Sequence, residues 1–212
     1  MALLTIKRCP ASGANHFDAC SHLMQADSVL PRIIMQVGTC TLRKRRDAFA
    51  TLCDSIISQQ LSPAAATTIY DRFAQLYPNR RPTPQLVIRT SSVSLRTAGL
   101  SGQKAGYLRD LASGFLDGRI RPNRFARRSN EEIITELASI KGIGRWTAEM
   151  FLIFSLNRLD VLPVDDLGIK KAVQRWYRLP AIPVPAILRR VAKPWHPYES
   201  IACWYLWQNL RL

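Results

Sequence analysis

Residues 140–171 read IKGIGRWTAEMFLIFSLNRLDVLPVDDLGIKK, and the fold turns on this stretch. Ile140 closes an apolar-periodic run that opens at a capping box, Ser129-Asn130-Glu131-Glu132, with Ile133, Ile134 and Leu137 on one face. Gly142-Ile143-Gly144 predicts a tight turn, and a second helix begins near Arg145. Glycines there permit positive φ and close approach of another backbone. A helix that starts after such a turn presents unbonded N–H groups and the positive end of its dipole, a setting suited to phosphate. Lys141 and Arg145 add charge and Thr147 a hydroxyl. An ordinary αα-hairpin with a glycine turn has the same spacing. Downstream, Asp165 and Asp166 stand side by side, although the chain carries a formal net charge of +15.

That charge sets the broad class. Lys and Arg outnumber Asp and Glu by 30 to 15 in 212 residues, and 23 of the 30 are Arg. Such an excess points to a polyanion, most simply nucleic acid, and Arg suits phosphate through its planar fork. A solvated, arginine-rich face is the plainer alternative. At 47% hydrophobic the chain can bury a core as one large domain or two small ones. No apolar run approaches the ~18 residues of a membrane span, and the N-terminus lacks the apolar region of a signal peptide. The five cysteines, Cys9, Cys20, Cys40, Cys53 and Cys203, are widely spaced and form no C-x-x-C pair. A reduced, intracellular protein of the cytoplasm or nucleoid is expected. Cys9, His16, Cys20 and His22 match no common zinc module.

Periodicity is helical almost throughout. In 47–61 the apolar residues Phe49, Leu52, Cys53, Ile56, Ile57 and Leu61 fall on one face, behind Asp47 at the helix start. Further helices are expected over 64–77, 84–98, 102–117, 145–156, 167–178, 184–192 and 198–211, broken by prolines and by Gly99 and Gly118. No segment alternates with period two, so the chain reads as all-α, with about eight to ten helices. Residues 1–22 are polar and expected to be poorly ordered. Residues 23–212 form the helical domain, with the helix–hairpin–helix in 130–156.

IKGIGRWTAEM (140–150) resembles the helix-hairpin-helix (HhH-GPD) superfamily of DNA glycosylases, with Lys141 where that family usually has Pro. Pro163-Val164-Asp165-Asp166-Leu167-Gly168-Ile169-Lys170 is similar to the 3-methyladenine DNA glycosylase II, or alkylpurine glycosylase, branch. ISQQLS (57–62) resembles that branch's minor-groove segment. PWHPYESIACW (194–204) resembles its C-terminal helix, which ends in a pocket tryptophan. The likeness spans roughly 24–210. It implies a two-lobed all-α fold with the active cleft between lobes. The partner implied is double-stranded DNA with damaged bases, met by a monomer and with no membrane involved.

The resemblance also implies roles. Asp166 stabilises the sugar cation formed when an N-glycosidic bond is hydrolysed, or activates the attacking water. Capping of the next helix is its ordinary alternative, and the two are compatible. Asp165 caps or orients. Trp146, Trp204 and Tyr198, with Met150 and Leu167, line a pocket where an electron-poor base meets aromatic faces. Trp176, Trp195 and Trp207 are assigned to the core. Gln59, Gln60 and Leu61 fill the gap left by the flipped nucleotide. Lys141, Gly142, Gly144, Arg145, Thr147 and Lys170 bind the DNA backbone. The Arg43-Lys44-Arg45-Arg46 run and the basic 119–128 segment add salt-dependent affinity or are solvated. Carbonyls near Ala138, Ile140 and Ile143 would hold a structural Na+ or K+; no organic cofactor is implied.

Departures matter too. Relatives that also cut the backbone carry a lysine two residues after the second glycine, where this chain has Trp146, and an indole cannot form a Schiff base. The four-cysteine iron–sulfur loop of another branch is missing, since only Cys203 follows Cys53. An additional N-terminal β domain of longer relatives is not expected. Two readings stay open: a glycosylase for a deaminated or mismatched base, and a hairpin DNA-binding protein without chemistry. Phosphate binding alone has no use for the paired acids, which speaks against the second.

Overall fold

The computed structural model describes residues 14–44 and 47–210. In chain order the helices are α1 (Ala14–Ala26), α2 (Leu30–Val37), α3 (Ala48–Ser58), α4 (Pro63–Gln75), α5 (Pro84–Arg89) and α6 (Ser92–Thr97). They continue as α7 (Gly102–Leu116), α8 (Asn130–Ala138), α9 (Arg145–Phe154), α10 (Leu167–Trp176), α11 (Pro185–Ala192) and α12 (Glu199–Asn209). Short 3₁₀ turns lie at Pro78–Arg80, Pro122–Arg127 and Lys193–Trp195. The described residues contain no strand and no helix long and apolar enough to cross a membrane.

More helices form than the periodicity predicts: α2 falls where no helix is expected, and two others have local reasons. The expected 84–98 helix breaks at Thr90, whose ψ of 132° leaves the helical region, and Ser91 caps a new helix by accepting from the Ser94 N–H at 3.0 Å. The expected disorder of 1–22 is corrected for 14–22, which belong to α1. There Ala19, Cys20 and Leu23 are fully buried, against α2 and α12. Residues 1–13 lie outside the described residues, as do Arg45 and Arg46 of the basic run.

The chain divides into two compact units. One takes the described residues up to Lys44 and from Asn157 onward; the other takes those between Arg45 and Leu156. In the first, α12 is the central rod. Ser200 to Leu206 are all buried, so this helix is apolar on every side and is packed by α1, α2 and α10. Asp27 ties the unit together. Its Oδ1 accepts from the Val29 and Leu30 N–H groups at 2.7 and 2.9 Å, starting α2. Its Oδ2 accepts from the Tyr177 hydroxyl at 2.7 Å and the Trp195 indole at 3.0 Å. Burial, then the Asp27 hydrogen bond, raises the Tyr177 hydroxyl pKa above its ordinary value.

In the second unit α3 packs on α4, α7 and α9 through Phe49, Leu52, Cys53, Ile56 and Ile57, all at most 5% exposed. The hairpin helices α8 and α9 pack together, and Ile133, Leu137, Phe151 and Leu152 on them are buried. The predicted capping box at Ser129 and Glu132 forms as drawn.

Candidate active site and nucleic-acid interface

Asp166 lies in the first unit at the N-cap of α10. A turn closes just before it, with the Asp166 N–H on the Pro163 carbonyl at 3.0 Å. Its Oδ1 accepts two hydrogen bonds, from the Ile169 N–H at 2.8 Å and from the Trp207 indole N–H at 3.0 Å. The residue is 8% exposed. Two donors on one oxygen fix the plane of the carboxyl group. The capping reading of Asp166 is met, and the cap leaves the side chain its carboxylate. Asp165 points the other way: its carboxylate is 63% exposed and meets the Lys170 ammonium at 3.4 Å. Lys170 is thus engaged with an acid, though it was expected on the DNA backbone.

The tryptophans are redistributed. Trp207, assigned to the core from sequence, donates to Asp166. Trp204, expected in the pocket, is only 6% exposed and packs edge-on against Tyr205 at 5.0 Å. The two are three positions apart on α12, so they leave the helix in related but distinct directions, and it is Trp207 that reaches the α10 N-terminus. Trp195 is core as expected, and Trp176 donates to Asn209 Oδ1 at 2.7 Å. Tyr198 stands edge-on to His22, with ring centroids 5.3 Å apart. Leu167, first residue of α10, is 54% exposed beside the carboxylate it follows. His22 donates from Nε2 to the Pro194 carbonyl at 3.0 Å, and Cys20 meets the Tyr205 hydroxyl at 3.2 Å, so both take separate partners; Cys9 lies outside the described residues.

The second unit holds the hairpin. Gly142 has φ +86°, the left-handed conformation predicted for the turn. A Cβ there would also stand 2.2 Å from Tyr107 Cδ2, so the ring leaves room only for hydrogen. Gly144 differs. Its φ of −89° suits any residue, and a Cβ would meet nothing within 4 Å. Gly144 leaves the α9 N-terminus open for approach, and no side chain caps that helix. Lys141 and Trp146 are exposed, Trp146 by 46%; Met150 follows one turn on and is half-buried.

Two expected phosphate ligands are otherwise occupied. Arg145 forks between Glu131, at NH1 and NH2, and Glu149, whose Oε1 lies 3.1 Å from Nε. The Glu131 carboxylate first raises the pKa of its guanidinium, despite a smaller burial effect the other way. Arg145 therefore staples α8 to α9, because Glu149 is only 3% exposed and needs a counter-charge. Thr147 is 5% exposed, so its hydroxyl has little surface for a phosphate. Gln59, expected in the DNA gap, instead donates from Nε2 to the Gly142 carbonyl at 2.7 Å. Its neighbours Gln60 and Leu61 are exposed, Gln60 with φ +58°. In the 119–128 segment Arg119 pairs with Asp110 and Asp117 and Arg128 with Glu136, while Arg121, Arg124 and Arg127 are exposed.

Known proteins match this arrangement. The chain is 37% identical over 196 residues to the DNA-3-methyladenine glycosylase 1 of Schizosaccharomyces pombe, covering 90% of this chain and 86% of the relative. An alkylbase DNA glycosidase-like protein of the same yeast is 34% identical, covering 90% and 92%. Among solved structures, a 3-methyladenine DNA glycosylase of S. pombe in complex with abasic DNA superimposes with a TM-score of 0.81. It is 37% identical and covers 92% of this chain and 97% of the other. Residues 53–197 match the HhH-GPD superfamily of base excision DNA repair proteins, and the chain belongs to that superfamily.

Proposed function

We propose that the chain is a monofunctional DNA glycosylase that acts as a monomer and hydrolyses the N-glycosidic bond of alkylated purines, such as 3-methyladenine or 7-methylguanine, flipped from double-stranded DNA. The observation that carries this reading is Asp166, a nearly buried carboxylate fixed at a helix N-cap and by Trp207. The names of the two yeast relatives support the substrate class, and abasic DNA in the solved relative is what base removal leaves.

An N-alkylated purine already carries positive charge and is a good leaving group. As its bond to the sugar breaks, charge builds on the sugar ring. Asp166 stabilises that charge and takes a proton from the attacking water. Because the leaving base needs no strong acid, one carboxylate suffices. The exposed indole of Trp146 offers a face to an electron-poor base, with Met150 on the same helix. With Trp146 where a lyase has lysine, no Schiff base forms at that position and the strand stays intact.

On this reading DNA phosphate meets the α9 N-terminus at Gly144, with Lys141 adding charge. A Na+ or K+ ion would be held by the carbonyls near Ala138, Ile140 and Ile143. The Ile140 carbonyl accepts from the Ile143 N–H at 3.0 Å, and its second lone pair remains for an ion. Such an ion would supply positive charge at the hairpin, and the chemistry calls for no organic cofactor.

The test is base release from a duplex methylated in vitro, with chromatography of the freed bases and electrophoresis of the strands. Free methylpurines, alkali-labile abasic sites and uncut strands are expected. Tight binding without release would overturn the alkylpurine assignment and move the search to deaminated bases. Strand cutting without alkali would overturn the monofunctional one.

A further inference from the structure

We propose that Gln59 and Lys104 are positioning residues that lock the hairpin turn to the segment after α3, so that Gln60 and Leu61 and the phosphate-binding turn meet DNA as one rigid piece. The DNA part of this inference rests on the function proposed above.

α3 stops at Ser58. Gln59 leaves the helix with ψ 131°, Gln60 is left-handed and exposed, and Ser62 caps α4 at once. A turn this short exposes the last carbonyls of α3. Lys104 of α7 answers them: its ammonium donates to the carbonyls of Ile57 and Gln59, both at 2.7 Å. A cation at a helix C-terminus also meets the negative end of the dipole. Burial lowers the amine's pKa, so the site sets this ammonium apart from a freely solvated one.

The fixed Gln59 then reaches 83 residues along the chain and donates to the Gly142 carbonyl at 2.7 Å. Tyr107 packs on the other side of Gly142, its hydroxyl accepting from Gln103 at 2.7 Å. Lys104 and Tyr107 are three residues apart and share one face of α7. One helix face therefore holds both the end of α3 and the hairpin turn, and Gln59 closes the ring between them. All these groups belong to the second unit. A carboxamide spent on Gly142 is not a wedge; it aims the two exposed residues that follow it.

The experiment compares Gln59→Met, Lys104→Met and the double variant with the native chain. Hydrogen–deuterium exchange of the 140–147 peptide is measured without DNA. Affinities are measured for a duplex with a tetrahydrofuran abasic analogue and for an undamaged duplex. Each single variant should speed exchange at the hairpin but not in α10–α12. Each should cut the abasic-to-undamaged affinity ratio about three- to tenfold, the effect of one hydrogen bond. The double variant should lose no more than the worse single one, since both bonds hold one element. Unchanged exchange in Gln59→Met overturns the lock. Faster exchange with an unchanged ratio makes it a fold contact only, and losses that multiply make the two residues independent. A native chain that prefers neither duplex overturns the glycosylase reading, and with it the lock's role on DNA. The exchange arm then still decides whether the lock exists.

Discussion

The Asp166 site and the hairpin turn meet opposite demands. At Asp166 one side chain is nearly buried, and two donors leave it a single orientation. At the hairpin the important groups are backbone: an uncapped helix N-terminus and a glycine with open space over its Cα. The difference follows from the tasks proposed for them. A group that stabilises charge on a reacting sugar must be held in place before the charge appears. A group that grips phosphate must be reachable and must tolerate many sequences. Substitutions at the first site should therefore change rate, and those at the second should change affinity.

The two glycines of the turn sharpen that contrast. After loss of Asp166 itself, the largest expected effect is that of Gly142→Ala. A methyl group must enter the Tyr107 ring on a backbone that disfavours it, at a cost of about 2–5 kcal/mol. Thermal unfolding should show it. Gly144→Ala meets no atom, so its melting temperature should stay close to native while affinity for undamaged duplex falls about tenfold, because a methyl now lies where phosphate approaches. If both variants behave alike, the turn has been misread.

Next comes Trp207→Phe, which keeps the ring but removes the donor to Asp166. A hydrogen bond to a charged group is worth about 1.5–3 kcal/mol, so single-turnover excision should slow roughly 10- to 100-fold with DNA affinity unchanged. Trp204→Phe, which alters a packed ring away from that bond, should reduce melting temperature more than rate.

The smallest effect concerns acid. Hydrogen bonds accepted from the Ser129 hydroxyl and N–H lower the Glu132 pKa below its ordinary 4.5. A depressed folded pKa means this contribution is present above pH 4.5 and fades as pH falls through the lower folded value. Glu132→Gln should flatten that part of the stability curve and leave excision at neutral pH alone.

Much of this contrast was legible in the sequence, and the parts that were not share a cause. The hairpin and capping box are local: glycine spacing, a Ser and a Glu three residues on, and a helical period suffice. The place of Asp166 at a helix start was legible from the Asp-Leu-Gly-Ile-Lys run. Trp207 was not, because α12 is apolar all round and nothing in ACWYLW marks which tryptophan faces α10. The Gln59 bond was not legible because its partner, the Gly142 carbonyl, is distant in sequence and has no side chain to read. The Arg145 pair with Glu149 was not legible because the buried position of Glu149 depends on packing. In α1, His16, Asp18, Ser21 and His22 obscured the stripe of Ala19, Cys20 and Leu23 that is buried.

The central claim is that Asp166 carries the chemistry and not the binding. Its most direct test is Asp166→Asn, which keeps both the helix cap and an acceptor for Trp207 while removing the charge. Single-turnover excision from a methylated duplex and affinity for an abasic-analogue duplex are measured on the same preparation. The account predicts a rate at least about a thousandfold lower with affinity within a few fold of native. Native-like excision by the variant would contradict it.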